Sequence, residues 1–234
     1  MKPSSWLHGG LFGLSIALVV WYTYYTGRWD IVGVWVKEGL LWVTTLSFFM
    51  VFYKWYRVPG LAVWNKSGLL ELFVPFVMII IFSSMLWNAR GSNDFSGVTL
   101  ELDFPLRTNG WIVFHGGDNI AVNQHRRVKA QSFALDVGRL GRWGMRATTL
   151  SPRDLEDYFI YGEPVYAPCD GTVERLESNI EDNPIGKVNS DQVFGNHVVI
   201  SCKNSIILIA HLKKNSLRVK AGQLIKSGEL LGAV

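Results

Sequence analysis

The side chains of this sequence best suited to metal or acid–base chemistry are its five histidines, at positions 8, 115, 125, 197 and 211. A neutral imidazole is both a metal ligand and a proton carrier near neutral pH. Hydrolysis with a catalytic zinc calls for three protein ligands and an open fourth position, where a water's pKa falls toward ~7. A further imidazole can carry the proton or hold the oxyanion. None of the five histidines lies in a C-x-x-C or H-E-x-x-H arrangement, so spacing alone assigns no metal site. His8 falls in an apolar run and is set aside. The other four are read first as structural, the usual role of a lone histidine in β-structure. Cys169 and Cys202 are too few for a disulfide scaffold. They can pair in an oxidising compartment, or remain two buried thiols.

Two different kinds of sequence carry these residues. The chain has 234 residues, 49% of them hydrophobic, and eight of its ten tryptophans lie in the first 90 positions. Three apolar runs occupy residues 6–25, 31–53 and 68–87. About 20 residues at ~1.5 Å each cross a hydrocarbon core of ~30 Å, and each run is long enough. Trp6, Trp21, Tyr22, Tyr24, Tyr25, Trp55, Trp64 and Trp87 sit near the run ends, as interfacial belts require. The first run ends in bulky aromatics rather than a small-residue cleavage site, unlike a signal peptide. Lys37 and Glu38 interrupt the second run. Adjacent positions diverge on a helix, so they are not read as an ion pair; Lys37 is expected to snorkel toward an interface. The loop around residues 54–66 carries Lys54, Arg57 and Lys66 without an acid, whereas Arg28 is balanced by Asp30. The positive-inside bias then places the N-terminus in the cytoplasm and everything beyond Trp87 outside.

From Arg90 the pattern changes. A polar linker, "ARGSNDFSG", precedes the short runs "VTLELDF", "GWIVFHGG", "QSFALDV", "PVYAP", "GTVERLE", "NHVVISC" and "SIILIAHL". Gly, Asn and Asp punctuate them, which predicts an all-β region. The expected organisation is a three-helix transmembrane anchor over residues 1–90 and an extracytoplasmic β-rich domain over residues 91–234. One short helix is expected after Ser151 as cap, with Pro152 first and Asp154 third. The net charge of +4 is spread without a Lys/Arg tract, which argues for a solvated surface and against a nucleic-acid partner.

Four blocks then follow in order. They are G-x-P-V-x-A-x-x-x-G-x-V from Gly162, G-N-x-V-x-I from Gly195, a strand ending in A-H-L at Leu212, and V-x-x-G-x-x-I-x-x-G-x-x-L-G from Val219. Over roughly residues 111–234 the chain resembles the lysostaphin-type (LytM-like) zinc metallopeptidases, which cut peptide cross-links in bacterial cell walls. The resemblance implies an all-β domain of the barrel-sandwich or duplicated hybrid type. It implies that His211, in the A-H-L block, is a catalytic imidazole. The family's first metal motif is His-x-x-x-Asp; Asp136 matches its aspartate, but Ser132 stands at the histidine position. Some membrane-anchored relatives carry N-x-H followed by Q-x-[FY]-A-x-D, matched here by Asn123, His125, Gln131, Phe133, Ala134 and Asp136. The resemblance therefore implies His125 and Asp136 as zinc ligands. His197 is left to strand packing or support, and His115 is given no role. The family's remaining ligand comes from an H-x-H block beyond the final L-L-G turn, and this sequence stops at Val234, which suggests a shortened sequence.

The expected function is that of a membrane-anchored zinc metalloendopeptidase, acting on peptidoglycan cross-links or other envelope peptides at the bacterial cytoplasmic membrane. Its expected partners are the lipid bilayer and that envelope peptide. Residues 138–162 and 179–194 are expected to wall the cleft. Ser132 and the missing H-x-H favour an alternative, a non-catalytic module that binds the envelope or activates another hydrolase. A biotinyl- or lipoyl-type carrier is the third reading, with Lys187 as the sole lysine between Glu177 and Gly195.

Overall fold

The computed structural model describes residues 6–56, 66–91, 97 and 99–234. Residues 57–65, with Arg57 and Trp64, and linker positions 92–96 lie outside the described residues. The apolar runs form helices α1 (Trp6–Thr26), α3 (Val34–Tyr56) and α4 (Lys66–Gly91), with a single turn, α2 (Trp29–Val32), between the first two. Three of these helices are long and apolar enough to cross a membrane. Their outer surfaces carry exposed Trp35, Trp42, Phe49, Met50, Phe73 and Ile80, a surface suited to lipid rather than water. α1 contacts both α3 and α4, with Tyr22 edge-on to Phe82 at 5.9 Å.

Lys37 and Glu38 do not pair with each other; both reach Tyr24 of α1. The Tyr24 hydroxyl donates to Glu38 Oε1 at 2.8 Å, and Lys37 Nζ lies 4.8 Å from the centre of its ring. α1 stops at Gly27, where the Trp29 indole Nε1 donates to the Thr23 and Tyr24 carbonyls, each at 3.1 Å. Those carbonyls are among the ones a helix end leaves without an intrahelical partner.

By contact the chain forms two compact units: one holds the four helices and residues 113–137, the other residues 99–112 and 138–234. The short strands β1 (Trp111–His115) and β2 (Asp136–Arg139) pair with each other.

In the second unit, β4 (Gly171–Glu177), β5 (Asn196–Cys202), β6 (Ser205–Leu212) and β7 (Leu224–Ile225) form an antiparallel sheet in the order β6-β5-β4-β7. β3 (Pro164–Tyr166) pairs with β8 (Leu230–Ala233). The sheet is β-rich as expected, but among the described residues β6 and β7 remain its edges and no barrel closes. β5 is central and buried on both faces, which suits its run of Val198, Val199 and Ile200. Edge strand β6 alternates between partly buried and exposed positions through Ile206, Ile207 and Leu208. Val165, Val173, Val198, Ile200 and Leu231 are almost entirely buried and form the core.

Cys169 and Cys202 form a disulfide, with Cα atoms 6.1 Å apart. The expected helix after Ser151 begins later, as a 3-10 turn over Leu155–Asp157. Its local anchor is Asp157, whose carboxylate accepts the N–H groups of Arg153 and Asp154 at 2.8 and 3.2 Å.

Candidate metal centre

The centre is built where β1 ends and β2 begins. The Gly110 carbonyl accepts the Leu140 N–H at 2.8 Å, so the two strands run antiparallel from that point. This register brings His115, the last residue of β1, beside Asp136, the first of β2. The 20 residues between them fold back through two 3-10 turns, Gln124–Arg127 and Lys129–Gln131.

Asn123 fixes the first turn. It is 1% exposed, and its Oδ1 accepts the His125 N–H at 3.1 Å. Its amide nitrogen donates to the Gly117 and Ala134 carbonyls at 3.0 and 3.2 Å. One buried side chain thus ties the start, middle and end of the loop, and His125 is held at its crossing.

Asp136 receives both imidazoles. His115 Nδ1 lies 2.8 Å from Oδ2, and His125 Nε2 lies 2.9 Å from Oδ1. The two rings meet edge to face, 6.2 Å apart. One donor atom from each of His115, His125 and Asp136 can be chosen so that all lie within 4.8 Å of one another. Burial favours the neutral Asp136 carboxyl, but the hydrogen bonds from His115 and His125 outweigh it and hold its pKa below the ordinary value.

The donor set fits a metal ion: two imidazoles and one carboxylate, all partly buried. Gln131 Oε1 lies 3.3 Å from His125 Nδ1.

Of the residues singled out by sequence, His125 and Asp136 come together. His115, given no role there, joins them. Its only local signal was a strand-terminal histidine before Gly116 and Gly117; its partner stands 21 residues away and is found only through strand pairing. Ser132, at the family's usual histidine position, stays out of the cluster, its carbonyl accepting from Arg126 at 3.3 Å. His197 behaves as a strand residue. Its Nδ1 donates to the Gly195 carbonyl at 2.8 Å, and its ring packs edge-on against Phe194.

His211 belongs to the second unit, on β6, with a backbone φ of +59°. Its N–H donates to the Phe194 carbonyl at 3.0 Å. It lines a cavity of about 230 Å³ together with Tyr158, Tyr161, Asp182 and Lys213. Both segments expected to wall a cleft contribute to this lining, Leu155 to Tyr161 on one side and Ile180 to Gln192 on the other. Lys213 Nζ sits 4.3 Å from the Tyr161 ring centre, and Asp182 Oδ1 accepts the Lys214 N–H at 2.9 Å.

Residues 157–234 match the family model of peptidase family M23. The M23 segment contains β3 to β8, His197 and His211, and the match points to a metallopeptidase hydrolase. It agrees with the lysostaphin-type resemblance, and peptidases of this family are in general zinc-dependent. His115, His125 and Asp136 lie upstream of the matched residues. No curated protein and no solved structure matches the chain.

Proposed function

We propose that this chain is a membrane-anchored zinc metallopeptidase of the bacterial envelope, cutting peptidoglycan cross-links or related peptides outside the cytoplasmic membrane. The observation that carries this reading is the convergence of His115, His125 and Asp136 within 4.8 Å, ahead of an M23 segment. Zinc bound by these three would supply Lewis-acid activation of water and of the scissile carbonyl.

The chain's own residues have separable tasks. His115 and His125 give neutral nitrogen donors, and Asp136 gives the negative charge that favours a cation. Gln131 fixes the tautomer of His125 and so the nitrogen it presents. His211, within the M23 segment, is assigned by the family resemblance the part of a general base or oxyanion stabiliser. Its left-handed backbone supports this role: such a conformation costs a residue with a Cβ about 1–2 kcal/mol, and glycine would avoid the cost. The disulfide supports an oxidising compartment for the M23 segment. The basic residues around 54–66 support a cytoplasmic location for that loop. The reading carries with it the family's barrel-sandwich architecture for the β-rich half.

The test uses the full chain in lipid nanodiscs. Zinc is measured by mass spectrometry after dialysis, and cleavage by chromatography of cross-linked muropeptides. Close to one zinc per chain and a loss of cross-links are expected, both abolished in D136A. Zinc retained equally by D136A, or no zinc in the parent protein, would falsify the metal assignment. Zinc bound without cleavage of any envelope peptide would leave a non-catalytic envelope-binding module instead.

A further inference from the structure

Residues 113–137, which carry all three candidate ligands, share a compact unit with the helices rather than with the M23 segment. The contact between them is specific. Arg28, in the turn between α1 and α3, places its guanidinium carbon 4.6 Å from the centre of the Phe114 ring. Phe114 immediately precedes His115 in β1.

The guanidinium is itself held by a fork. Arg28 Nε and NH2 donate to the two oxygens of Asp30 at 2.8 and 2.9 Å, and Asp30 is 1% exposed. The turn is braced from below by the Trp29 indole on the last carbonyls of α1 and by the Gly33 N–H on the Trp29 carbonyl at 2.8 Å. Asp30 first, and Asp136 in addition, hold the Arg28 guanidinium in its charged form against the cost of burial.

Successive side chains of a strand leave opposite faces. Arg28 therefore presses on the face of β1 carrying Phe114, while His115 leaves the other face toward Asp136. A flat, doubly bonded guanidinium on an aromatic ring is a directional contact that lysine cannot reproduce. We infer that the Arg28–Asp30 turn of the helical anchor is a positioning element of the metal centre, setting the rotation of β1 at His115 through Phe114. The anchor is then part of the centre and not only its tether.

The inference rests on the reading of His115, His125 and Asp136 as a cation site, and its test separates the two. Zinc affinity and the visible spectrum of the cobalt-substituted protein are measured for the full chain in nanodiscs, in R28K, R28A, F114L, the R28A/F114L double variant and D136A. Outer residues that orient a ligand change affinity by about 10- to 100-fold. R28K and F114L are expected to weaken zinc at least tenfold and to alter the cobalt bands, although R28K retains the positive charge. The double variant is expected to be no weaker than the worse single one, because both act through one contact. If D136A binds zinc as the parent does, the site reading fails. If D136A loses zinc while R28K and F114L bind normally, the positioning role alone is overturned. Tighter zinc in R28A would also overturn it, since Arg28 would then act only as a repelling charge. Unchanged circular dichroism in R28K separates a local effect from unfolding.

Discussion

At the scale of single residues, the centre depends on groups of unequal visibility. His125 and Asp136 stand out by type and by the motif around them. His115 does not, yet it contacts the same carboxylate at the same distance as His125, 2.8 against 2.9 Å. H115A and H125A should therefore weaken zinc comparably, each by at least 100-fold, in a competition titration with a chromogenic chelator. S132H should leave affinity unchanged, because Ser132 is outside the cluster. Asn123 gives a stability prediction. Removing its side chain from a site 1% exposed leaves the His125 N–H and two carbonyls short of partners, and N123A should cost about 1–3 kcal/mol in urea unfolding. For His211, glycine is the informative substitution. H211G fits φ +59° without strain and should keep the melting temperature within a few degrees while peptide cleavage falls at least 100-fold.

At the scale of elements, the β-rich half is held by turns that clasp one another. The turns in "APCDGTV" and "IKSGELLG" are bonded together. Asp170 accepts the Ser227 N–H at 2.8 Å and Lys226 Nζ at 2.9 Å, and the Gly228 N–H donates to the Ala167 carbonyl at 2.8 Å. The backbone bond from Ser227, then Lys226, lowers the Asp170 pKa below its ordinary value. A carboxylate with a depressed folded pKa stabilises the fold above its unfolded pKa of ~3.9, and that contribution disappears as pH falls through the folded value. D170N should thus be less stable than the parent at pH 7, with the two stabilities converging as the pH falls below the ordinary carboxylate range. Gly171 has a second constraint: a Cβ there would lie 2.2 Å from the Ser201 carbonyl oxygen on the paired strand. G171A must push β4 from β5 and should lower the melting temperature strongly. The helix expected after Ser151 shows the reverse case. Local signals marked a start, but the Asp157 carboxylate gathers the N–H groups of Arg153 and Asp154, and only a 3-10 turn forms.

At the scale of the whole molecule, the three candidate ligands lie in one unit, and the disulfide and the M23 strands in the other. The disulfide closes a sequence separation of 33 residues inside the second unit, which corresponds to about 3–4 kcal/mol of lost unfolded-state entropy. Reduction, or the double substitution of Cys169 and Cys202 by serine, should lower unfolding stability by that order without altering zinc affinity, because the three ligands lie in the first unit.

What the sequence determined by itself is what needs only local information. Three apolar runs of spanning length specify the helices, since every backbone polar group in such a run must bond within its own helix. Alternation and turn residues specify the β-rich half, and four ordered blocks point to the peptidase family. The tertiary structure alone decided which imidazoles meet. His115 reaches Asp136 because β1 and β2 pair antiparallel, and Arg28 reaches Phe114 because the helical turn folds against that strand. Such contacts join positions 21 and 86 residues apart, beyond the range over which periodicity or spacing carries any signal.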